Sequence, residues 1–184
     1  NRQKDTNALN LPFAYWGESS DRGSYVKLAE ATTYDIDGGT FSFSFWIKWR
    51  PTGAVQVILG NSDEPNDSLL CFNAAGSSLF FETTENNDEA LANFTAMTED
   101  TWYHFTFITN GDGTILVYKD GSTSDISSYA YDDFDEDAII DQIGSAGSTK
   151  WHCGSQIDEV MIYTRKLEAA EVKRNYNAGK RSHR

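Results

Sequence analysis

An all-β sandwich of antiparallel strands, with one short helix near the C-terminus, is the fold class that this sequence predicts. Three observations support it: apolar and polar residues alternate in many short runs, turn residues separate these runs, and only one segment has helical spacing. Alternation with a period of two places neighbouring side chains on opposite faces of a strand. Short strands separated by turns, and not by helices, indicate a two-sheet sandwich or jelly roll.

The clearest strand covers residues 41–49. Its odd-numbered residues are all apolar and fall on one face, whereas two serines, Lys48 and Trp46 fall on the other. Eight further segments have strand patterning. They are residues 25–28, 55–60, 68–73, 78–83, 102–109, 114–119, 138–143 and 157–163.

Turn residues stand between several of these segments. Asn110-Gly111-Asp112-Gly113 joins two aromatic-rich strands, and Asp120-Gly121 follows the second of them. Glycine, asparagine and aspartate tolerate positive φ, so both sequences predict chain reversals.

The predicted helix covers residues 168–177. Leu167 and Val172 have the spacing of a hydrophobic staple, and a glutamate occupies the first turn, where the helix dipole favours a carboxylate. We expect Gly179 to end the helix in a left-handed conformation. The basic residues 180–184 are expected to be frayed.

The composition excludes some classes of partner. The 184 residues include 28 Asp and Glu against 15 Lys and Arg, which gives a formal net charge of −13. This charge repels nucleic acids and anionic lipid surfaces, so we expect neither as a partner, and no segment has the length of a membrane helix. The chain begins at Asn1 without Met or a signal peptide, so we expect a processed form or a piece of a longer chain.

An ordered set of segments resembles a known family. The segments are Tyr25-Val26-Lys27-Leu28, Phe41-Ser42-Phe43-Ser44-Phe45-Trp46-Ile47-Lys48, Thr101-Trp102-Tyr103-His104-Phe105, Leu116-Val117-Tyr118-Lys119-Asp120-Gly121, Ile143-Gly144-Ser145, Gly154-Ser155-Gln156-Ile157-Asp158-Glu159-Val160-Met161-Ile162-Tyr163 and Leu167-Glu168-Ala169-Ala170-Glu171-Val172. In this order they resemble the laminin-G-like jelly-roll domains of the concanavalin A-like lectin/glucanase superfamily. The resemblance implies two curved antiparallel sheets packed face to face over residues 21–178.

The resemblance leaves residues 1–20 as an N-terminal arm or first strand and residues 179–184 as a basic C-terminal tail. The ending Arg174-Asn175-Tyr176-Asn177-Ala178-Gly179-Lys180 also resembles such domains in structural proteins of tailed phages, particularly marine ones. It therefore implies a virion as one setting for the chain.

Asp158 is the candidate metal ligand. It alternates in phase with Val160 and Ile162, so we expect it to point inward, where a carboxylate needs a partner. One reading is that it accepts backbone N–H bonds. In the resembled family an Asp at this place helps to hold a structural Ca²⁺ together with backbone oxygens of an early loop. The residues that would supply this loop are Asp35, Asp37 and Gly38.

Candidate ligand-binding residues lie in the connecting segments. Sugar sites on sandwiches combine aromatic rings with polar side chains that meet hydroxyl groups. The aromatic candidates are Trp16, Tyr131 and Trp151, the last followed by His152, and the polar candidates are Asn61, Asp63 and Asn66. The alternative is that these tryptophans only close the open end of the sandwich.

The sequence gives little support for catalysis. A retaining glucanase needs two carboxylates about 5 Å apart across the glycosidic bond. The only comparable run contains Asp133, Asp135 and Asp137, and we expect it to be a solvated acidic loop. His104 alternates within a core hairpin and is expected to be a hydrogen-bonded sheet histidine, and His152 beside Cys153 lacks any accompanying catalytic signature.

Three function hypotheses follow, in order of weight. The first is a non-catalytic module that recognises glycans, displayed extracellularly or on a virion surface. The second is a structural virion subunit that contacts a neighbouring protein through the arm of residues 1–16, with an oligomer as one outcome. The third is an endo-glucanase. A bridge between Cys71 and Cys153 and two separate buried thiols are both open at this stage.

Overall fold

The computed structural model describes residues 9–11, 25–34, 39–61, 69–83, 88–111, 114–130, 138–146 and 151–183. Within these ranges the chain forms strands and one helix. The strands are β1 (Leu9–Leu11), β2 (Val26–Tyr34), β3 (Ser42–Lys48), β4 (Gln56–Gly60), β5 (Leu69–Phe72), β6 (Ser78–Thr83), β7 (Asp88–Asn93), β8 (Trp102–Thr109), β9 (Ile115–Lys119), β10 (Ser127–Ala130), β11 (Ala138–Ile143), β12 (Ser145–Ala146), β13 (Trp151–His152) and β14 (Gln156–Tyr163), and the helix is α1 (Ala169–Gly179).

Two antiparallel sheets contain most of these strands. The five-stranded sheet has the order β1-β14-β3-β8-β9, and the seven-stranded sheet has the order β10-β7-β6-β5-β4-β11-β2. β12 and β13 form a separate hairpin. The inner faces of the two sheets meet in one apolar core. This architecture confirms the predicted class, an all-β jelly-roll sandwich with a short C-terminal helix.

Phenylalanine side chains are prominent in the core. The odd-numbered residues of β3 all face it, and two of these three residues are phenylalanines. Phe45 of β3 lies 6.2 Å from Phe72 of β5 and 6.1 Å from Phe105 of β8, measured between ring centroids. Fully burying one such side chain contributes roughly 1.5–3 kcal/mol. The two sheets are therefore held together largely by rings that the period-two pattern identifies.

All nine predicted strands are present, with ends that shift by a few residues. Both predicted reversals also occur, and Asp120 and Gly121 adopt positive φ values of 54° and 74°. Four strands were not predicted, β7, β10, β12 and β13, whereas β1 lies in the segment predicted as an N-terminal arm or first strand. The unpredicted strands are short or lack β-branched and aromatic residues, as β7 does with its sequence Asp-Glu-Ala-Leu-Ala-Asn. Pairing with neighbouring strands therefore determines their conformation.

The second face of β3, which carries its serines and Trp46, is covered. Ser44 is fully buried and Trp46 is 2% exposed. The Ser42 hydroxyl donates to the carbonyl of Arg165 at 2.9 Å and accepts from the N–H of Leu167 at 3.0 Å. These bonds anchor the start of α1 on the outer face of the five-stranded sheet, where Val172 packs in a second apolar cluster.

The helix begins where the prediction places it, but its C-terminal end differs from the prediction. Glu168 is the N-cap and forms a capping box with Glu171, in agreement with the predicted start. Gly179, however, is the last helical residue and is not a left-handed cap. A Cβ atom at Gly179 would lie 2.3 Å from Nε1 of Trp46, so glycine is required there by close packing.

The tail after the helix is ordered through His183, so the expectation of a frayed end is wrong for residues 180–183. His183 is buried, and its ring stacks on Trp46 with centroids 4.4 Å apart and an interplanar angle of 5°. Its Nε2 lies 3.0 Å from Oδ2 of Asp158, and its Nδ1 lies 2.9 Å from the carbonyl oxygen of Gly179. The tail thus completes the cover of the five-stranded sheet.

Candidate functional site

The β12–β13 hairpin carries two of the predicted ligand-binding residues, Trp151 and His152. It lies across the outer face of the seven-stranded sheet, where Ala146 packs against Val57 in a small apolar cluster. A Cβ atom at Gly60 of β4 would lie 2.5 Å from the carbonyl oxygen of Ser145 and 2.7 Å from Cβ of Ala146. Glycine at position 60 therefore permits the close approach of the hairpin to the sheet.

The predicted residues that the structure describes differ in accessibility. His152 is half-buried, and its Nδ1 lies 3.0 Å from Oγ of Ser145 across the hairpin. The backbone of Trp151 pairs with that of Ala146. Asn61 follows Gly60 and is 2% exposed, so its amide lies below the surface and not in an open loop. The remaining candidates, Trp16, Tyr131, Asp63 and Asn66, lie outside the described residues.

Gln142 of β11 is a polar residue near the hairpin that the sequence analysis missed. Its Cα partners are Gly60 on one side and Lys27 on the other. Lys27 is exposed while its neighbours Val26 and Leu28 pack against the core, so Lys27 and Gln142 share the outer face of the sheet. Gln142 is 1% exposed, and its Oε1 has no hydrogen-bond partner among the residues that the structure describes. An acceptor buried in this way costs about 1–3 kcal/mol unless something bonds to it.

The sequence carries a signal for this position. Asp141 and Gln142 are two adjacent polar residues inside an otherwise apolar strand, and both are buried. The register of β11 against β2 shifts between Ile140 and Gln142. The Asp141 carboxylate lies 3.8 Å from Nζ of Lys27. Two adjacent polar residues inside an apolar strand therefore indicate a break in the alternation and a position that differs from the apolar core.

Asp158 points to the outer face of the five-stranded sheet and not inward as the alternation predicted. Glu159 has a positive φ of 49°, and the register of β14 against β3 shifts between Asp158 and Met161. This bulge inserts one residue, so Ile157 and Val160 both face the core. Asp158 Oδ1 accepts the N–H of Glu159 at 2.8 Å, which agrees with the reading that it accepts a backbone bond.

A calcium ion at Asp158 stays a prediction. The two carboxylate oxygens contact the N–H of Glu159 and the Nε2 of His183, so a cation there would have to compete with both. Among the residues that the structure describes, no group of three or more His, Cys, Asp or Glu side chains is placed to hold a metal ion. Asp35, Asp37 and Gly38, which would supply the other ligands, lie outside those residues.

The surroundings of His104 and Cys153 indicate that both residues contribute to the structure and not to catalysis. His104 is fully buried and its Nε2 lies 2.9 Å from Oγ of Ser44, which confirms the sheet histidine. Burial lowers the pKa of His104 to about 3, and the neighbouring charge of His183 lowers it as well. Burial also raises the pKa of the Cys153 thiol to about 12, so Cys153 is a poor nucleophile beside His152.

Cys71 and Cys153 are both buried. Cys153 belongs to the central core, whereas Cys71 packs with Val57 on the outer face of the seven-stranded sheet. Two thiols on opposite faces of a sheet are not placed for a bridge. The acidic run with Asp133, Asp135 and Asp137 lies outside the described residues. In the part of the chain that the structure describes, no helix is long and apolar enough to cross a membrane.

Solved structures with similar folds include several binding domains. The binding domain of botulinum neurotoxin DC, solved with rat synaptotagmin II, is 17% identical with a TM-score of 0.60, over 93% of this chain and 46% of that chain. The chain thus spans about half the length of this toxin domain. A CBM40 domain of a Ruminococcus gnavus sialidase, bound to α2,3 sialyllactose, is 14% identical with a TM-score of 0.60, over 83% and 95% of the two chains.

A third similar structure is a Trypanosoma rangeli sialidase, which is 12% identical with a TM-score of 0.56, over 84% of this chain and 27% of that chain. These identities show a shared fold alone. Comparison with curated proteins finds no match. The family described as the concanavalin A-like lectin/glucanases superfamily, with its laminin-G-like domain, matches residues 20–173. Since this match covers most of the chain and agrees with the sandwich described above, the chain belongs to the concanavalin A-like lectin/glucanase superfamily.

Proposed function

We propose that the chain is a non-catalytic recognition module that binds glycans at the β12–β13 hairpin, outside the cell or on a virion surface. The observation that carries the proposal is the unpartnered Oε1 of Gln142, beside the hairpin that holds Trp151 and His152. A sugar hydroxyl is a donor of the kind this oxygen lacks. Binding residues also tend to lie on connecting segments that a rigid scaffold positions.

The similar structures support a binding role. One of them is a CBM40 domain bound to a sialylated sugar, and another is a toxin binding domain in complex with a protein. Both are recognition domains, although a shared fold does not by itself transfer a ligand. The surroundings of His104 and Cys153 also favour a module without a nucleophile or base among the groups described.

The second candidate is a structural virion subunit that contacts a neighbouring protein. The botulinum neurotoxin binding domain, about half of which this chain matches, was solved in complex with rat synaptotagmin II, which supports a protein as an alternative partner. Within the N-terminal arm, β1 pairs with β14 of the same chain, with Leu9 opposite Ile162, so this part of the arm already has a partner. The rest of residues 1–16 lies outside the described ranges, and its docking on a neighbour stays a proposal.

The test is a glycan-array screen of the purified chain, with millimolar calcium and again with a chelator. Specific binding that a chelator removes would support a calcium ion near Asp158, whereas binding that survives would leave Asp158 as a structural residue. A blank array for folded protein would contradict glycan binding and favour the protein-contacting role. Release of reducing ends from β-glucans would contradict the non-catalytic assignment.

Two substitutions connect the screen to the hairpin. Gln142→Leu removes the unpartnered acceptor at similar volume, so we expect weaker glycan binding with a free energy of unfolding within about 1 kcal/mol of wild type. His152→Ala tests the accessible ring. Ser145→Ala is its matched control, because it removes the same hydrogen bond and leaves the imidazole in place. Equal losses in His152→Ala and Ser145→Ala would show that the ring only supports the hairpin.

A further inference from the structure

The charges of the chain are unevenly distributed along its length. Residues 165–184, which contain α1 and the tail, hold seven of the 15 Lys and Arg residues but only two of the 28 Asp and Glu residues. Residues 1–164 hold the other eight basic and 26 acidic residues. The formal net charge is therefore +5 in the C-terminal segment and −18 in the rest of the chain. Parts of opposite charge attract each other between molecules, provided that the basic side chains are accessible.

The accessible basic side chains lie on the outward face of α1. Lys173, Asn177 and Arg181 follow one another at intervals of four residues, and all three are exposed. Residues at this spacing lie on one face of a helix, and Val172 on the other side is buried in the second apolar cluster. Lys180, the C-cap, keeps helical angles of φ −54° and ψ −26°, so the face continues to Arg181. We call Lys173, Asn177 and Arg181 the basic face of α1.

The two carboxylates of the C-terminal segment already have partners within that segment. Glu168 and Glu171 form the capping box at the start of α1. Glu171 also accepts two hydrogen bonds from the guanidinium of Arg165, at 2.8 and 2.9 Å, and lies 3.5 Å from Arg174. In the described part of the chain, neither carboxylate forms an ion pair with the basic face.

The acidic groups of the strands below α1 also have other neighbours. The charge of Lys180 acts on the carboxylate of Asp120, and Asp158 is bonded to His183. The carboxylate of Glu159 lies against the buried side of the helix end. The basic face makes no ion pair or side-chain hydrogen bond with any residue that the structure describes. Over those ranges it therefore lacks a paired counter-charge from its own chain.

We infer that the basic face of α1 binds the acidic surface of a second copy of this chain. The occupant follows from charge complementarity, because residues 1–164 of the second copy carry a net charge of −18. Nucleic acids and anionic membranes extend beyond one helix face, so they would also meet this acidic remainder, which repels them. Two basic faces repel each other, so the contact is head-to-tail, with the basic face of one copy on a different surface of the next.

The contact is expected to be weak and sensitive to salt. α1 has 11 residues and a length of about 16 Å, so its one face is smaller than the roughly 800 Å² per partner of a stable complex. Exposed ion pairs contribute about 1 kcal/mol or less each. The β12–β13 hairpin lies on the other sheet and stays open, so association brings several hairpins together and raises the avidity for a surface that carries their ligand.

The experiment measures self-association of the intact chain by sedimentation velocity over a range of protein concentrations. We expect monomers in exchange with larger species at about 0.15 M salt. The apparent Kd should be about tenfold weaker at about 1 M salt, because the screening length falls from about 8 Å to about 3 Å. A chain that stays monomeric up to millimolar concentration at the lower salt would overturn the inference. Association of equal strength at both salt concentrations would overturn it as well, because it would indicate an apolar contact.

Three variants assign the association to the helix. Lys173→Gln and Arg181→Gln should each raise the apparent Kd about threefold, with an unchanged free energy of unfolding, because both side chains are exposed and glutamine suits a helix. Lys48→Gln is the matched control, since Lys48 lies in β3 outside the basic face and its loss changes the net charge equally. Equal effects of Lys173→Gln and Lys48→Gln would contradict a contact at the helix.

A carbodiimide, which joins an amine directly to a carboxylate, locates the contact. In a mixture of isotope-labelled and unlabelled chains, we expect mass spectrometry to find Lys173 joined to a carboxylate of residues 1–164 in the other copy. Links from Lys173 confined to its own chain would overturn the inference. The inference is independent of the glycan proposal: glycan binding by a strictly monomeric chain would retain the hairpin and overturn the contact between copies.

Discussion

The outer faces of the two sheets are covered in different ways. On the five-stranded sheet, α1 and the tail place the rings of Tyr176 and His183 against Trp46, which also contacts the ring of His104 on the neighbouring strand. On the seven-stranded sheet, the described cover is the short β12–β13 hairpin beside Gln142. Each face contains buried polar atoms without partners, but those of Trp46 and His104 lie among stacked rings.

This difference concerns which buried polar atoms lie near a surface that a ligand can approach. A polar atom enclosed by aromatic rings has no path to a ligand, so its cost is part of packing the helix and tail on the sheet. The oxygen of Gln142 lies next to a hairpin whose partly exposed His152 can meet a ligand. The unpaired atoms of both faces are buried, so it is the accessible neighbour, His152, that distinguishes the candidate site on the seven-stranded sheet.

The largest expected effect concerns acid and the five-stranded sheet. The folded-state pKa of His104 is about 3, below the ordinary 6.5 of an unfolded chain. As pH falls through 6.5, the unfolded chain gains a proton that the folded chain does not bind until about pH 3, so stability falls over this window. By about pH 4 the loss from this one group is about 3 kcal/mol.

Urea unfolding of wild type and His104→Gln, from about pH 7 to about pH 4, measures this contribution. The variant should lose less stability over that range, because glutamine does not titrate. Carboxylates such as Glu171 titrate in both proteins, so the difference between the two curves isolates His104. Parallel curves would show that the His104 site admits a proton and that the cover of this face is open.

The next effect compares one glycine from each face. An added Cβ would lie 2.3 Å from Nε1 of Trp46 at Gly179 and 2.5 Å from the backbone oxygen of Ser145 at Gly60. Gly179→Ala and Gly60→Ala should each destabilise the chain by about 2 kcal/mol, as overpacked sites do. Alanine favours a helix by about 1 kcal/mol over glycine, which does not offset the clash at Gly179.

The readouts distinguish the two faces. Gly179→Ala should change the fluorescence of Trp46 and leave glycan binding intact, whereas Gly60→Ala should displace the hairpin and weaken binding there. Gly53→Ala is the control, because nothing lies within 4 Å of its added Cβ and only its positive φ of 76° is strained. If Gly60→Ala leaves glycan binding unchanged, the hairpin is not the binding surface.

The inner faces of the sheets could be predicted from the sequence, and the outer faces could not. Phe43 and Phe45 alternate with serine, and a period of two is enough to assign them to the core. The same rule misplaced Asp158, since a bulge at Glu159 adds a residue that no local pattern reveals. The cover of Trp46 could not be predicted either, because it comes from His183, far away along the chain.

The candidate site was predictable only in part, for the same reason. Trp151 and His152 stand out as an aromatic pair in a connecting segment, whereas Gln142 is marked only as one of two adjacent polar residues in an apolar strand. Its significance depends on the register that places it beside Gly60 and the hairpin.

The smallest expected effect concerns the bond between the tail and β14. Nε2 of His183 lies 3.0 Å from Oδ2 of Asp158, and Oδ1 of the same carboxylate accepts the N–H of Glu159. His183→Ala should cost about 2 kcal/mol, because it also uncovers the ring of Trp46. Asp158→Asn keeps an acceptor for Glu159 and weakens only the bond to His183.

A double-mutant cycle with His183→Ala and Asp158→Asn should give a coupling energy of about 1 kcal/mol, measured by urea unfolding at neutral pH. Such coupling means that the cover of the five-stranded sheet depends on a directed polar bond as well as on ring stacking. Additive losses would mean that the tail is held by stacking on Trp46 alone. Asp158 would then contribute to this face only by accepting the N–H of Glu159, and a cation would meet one competitor fewer at its carboxylate.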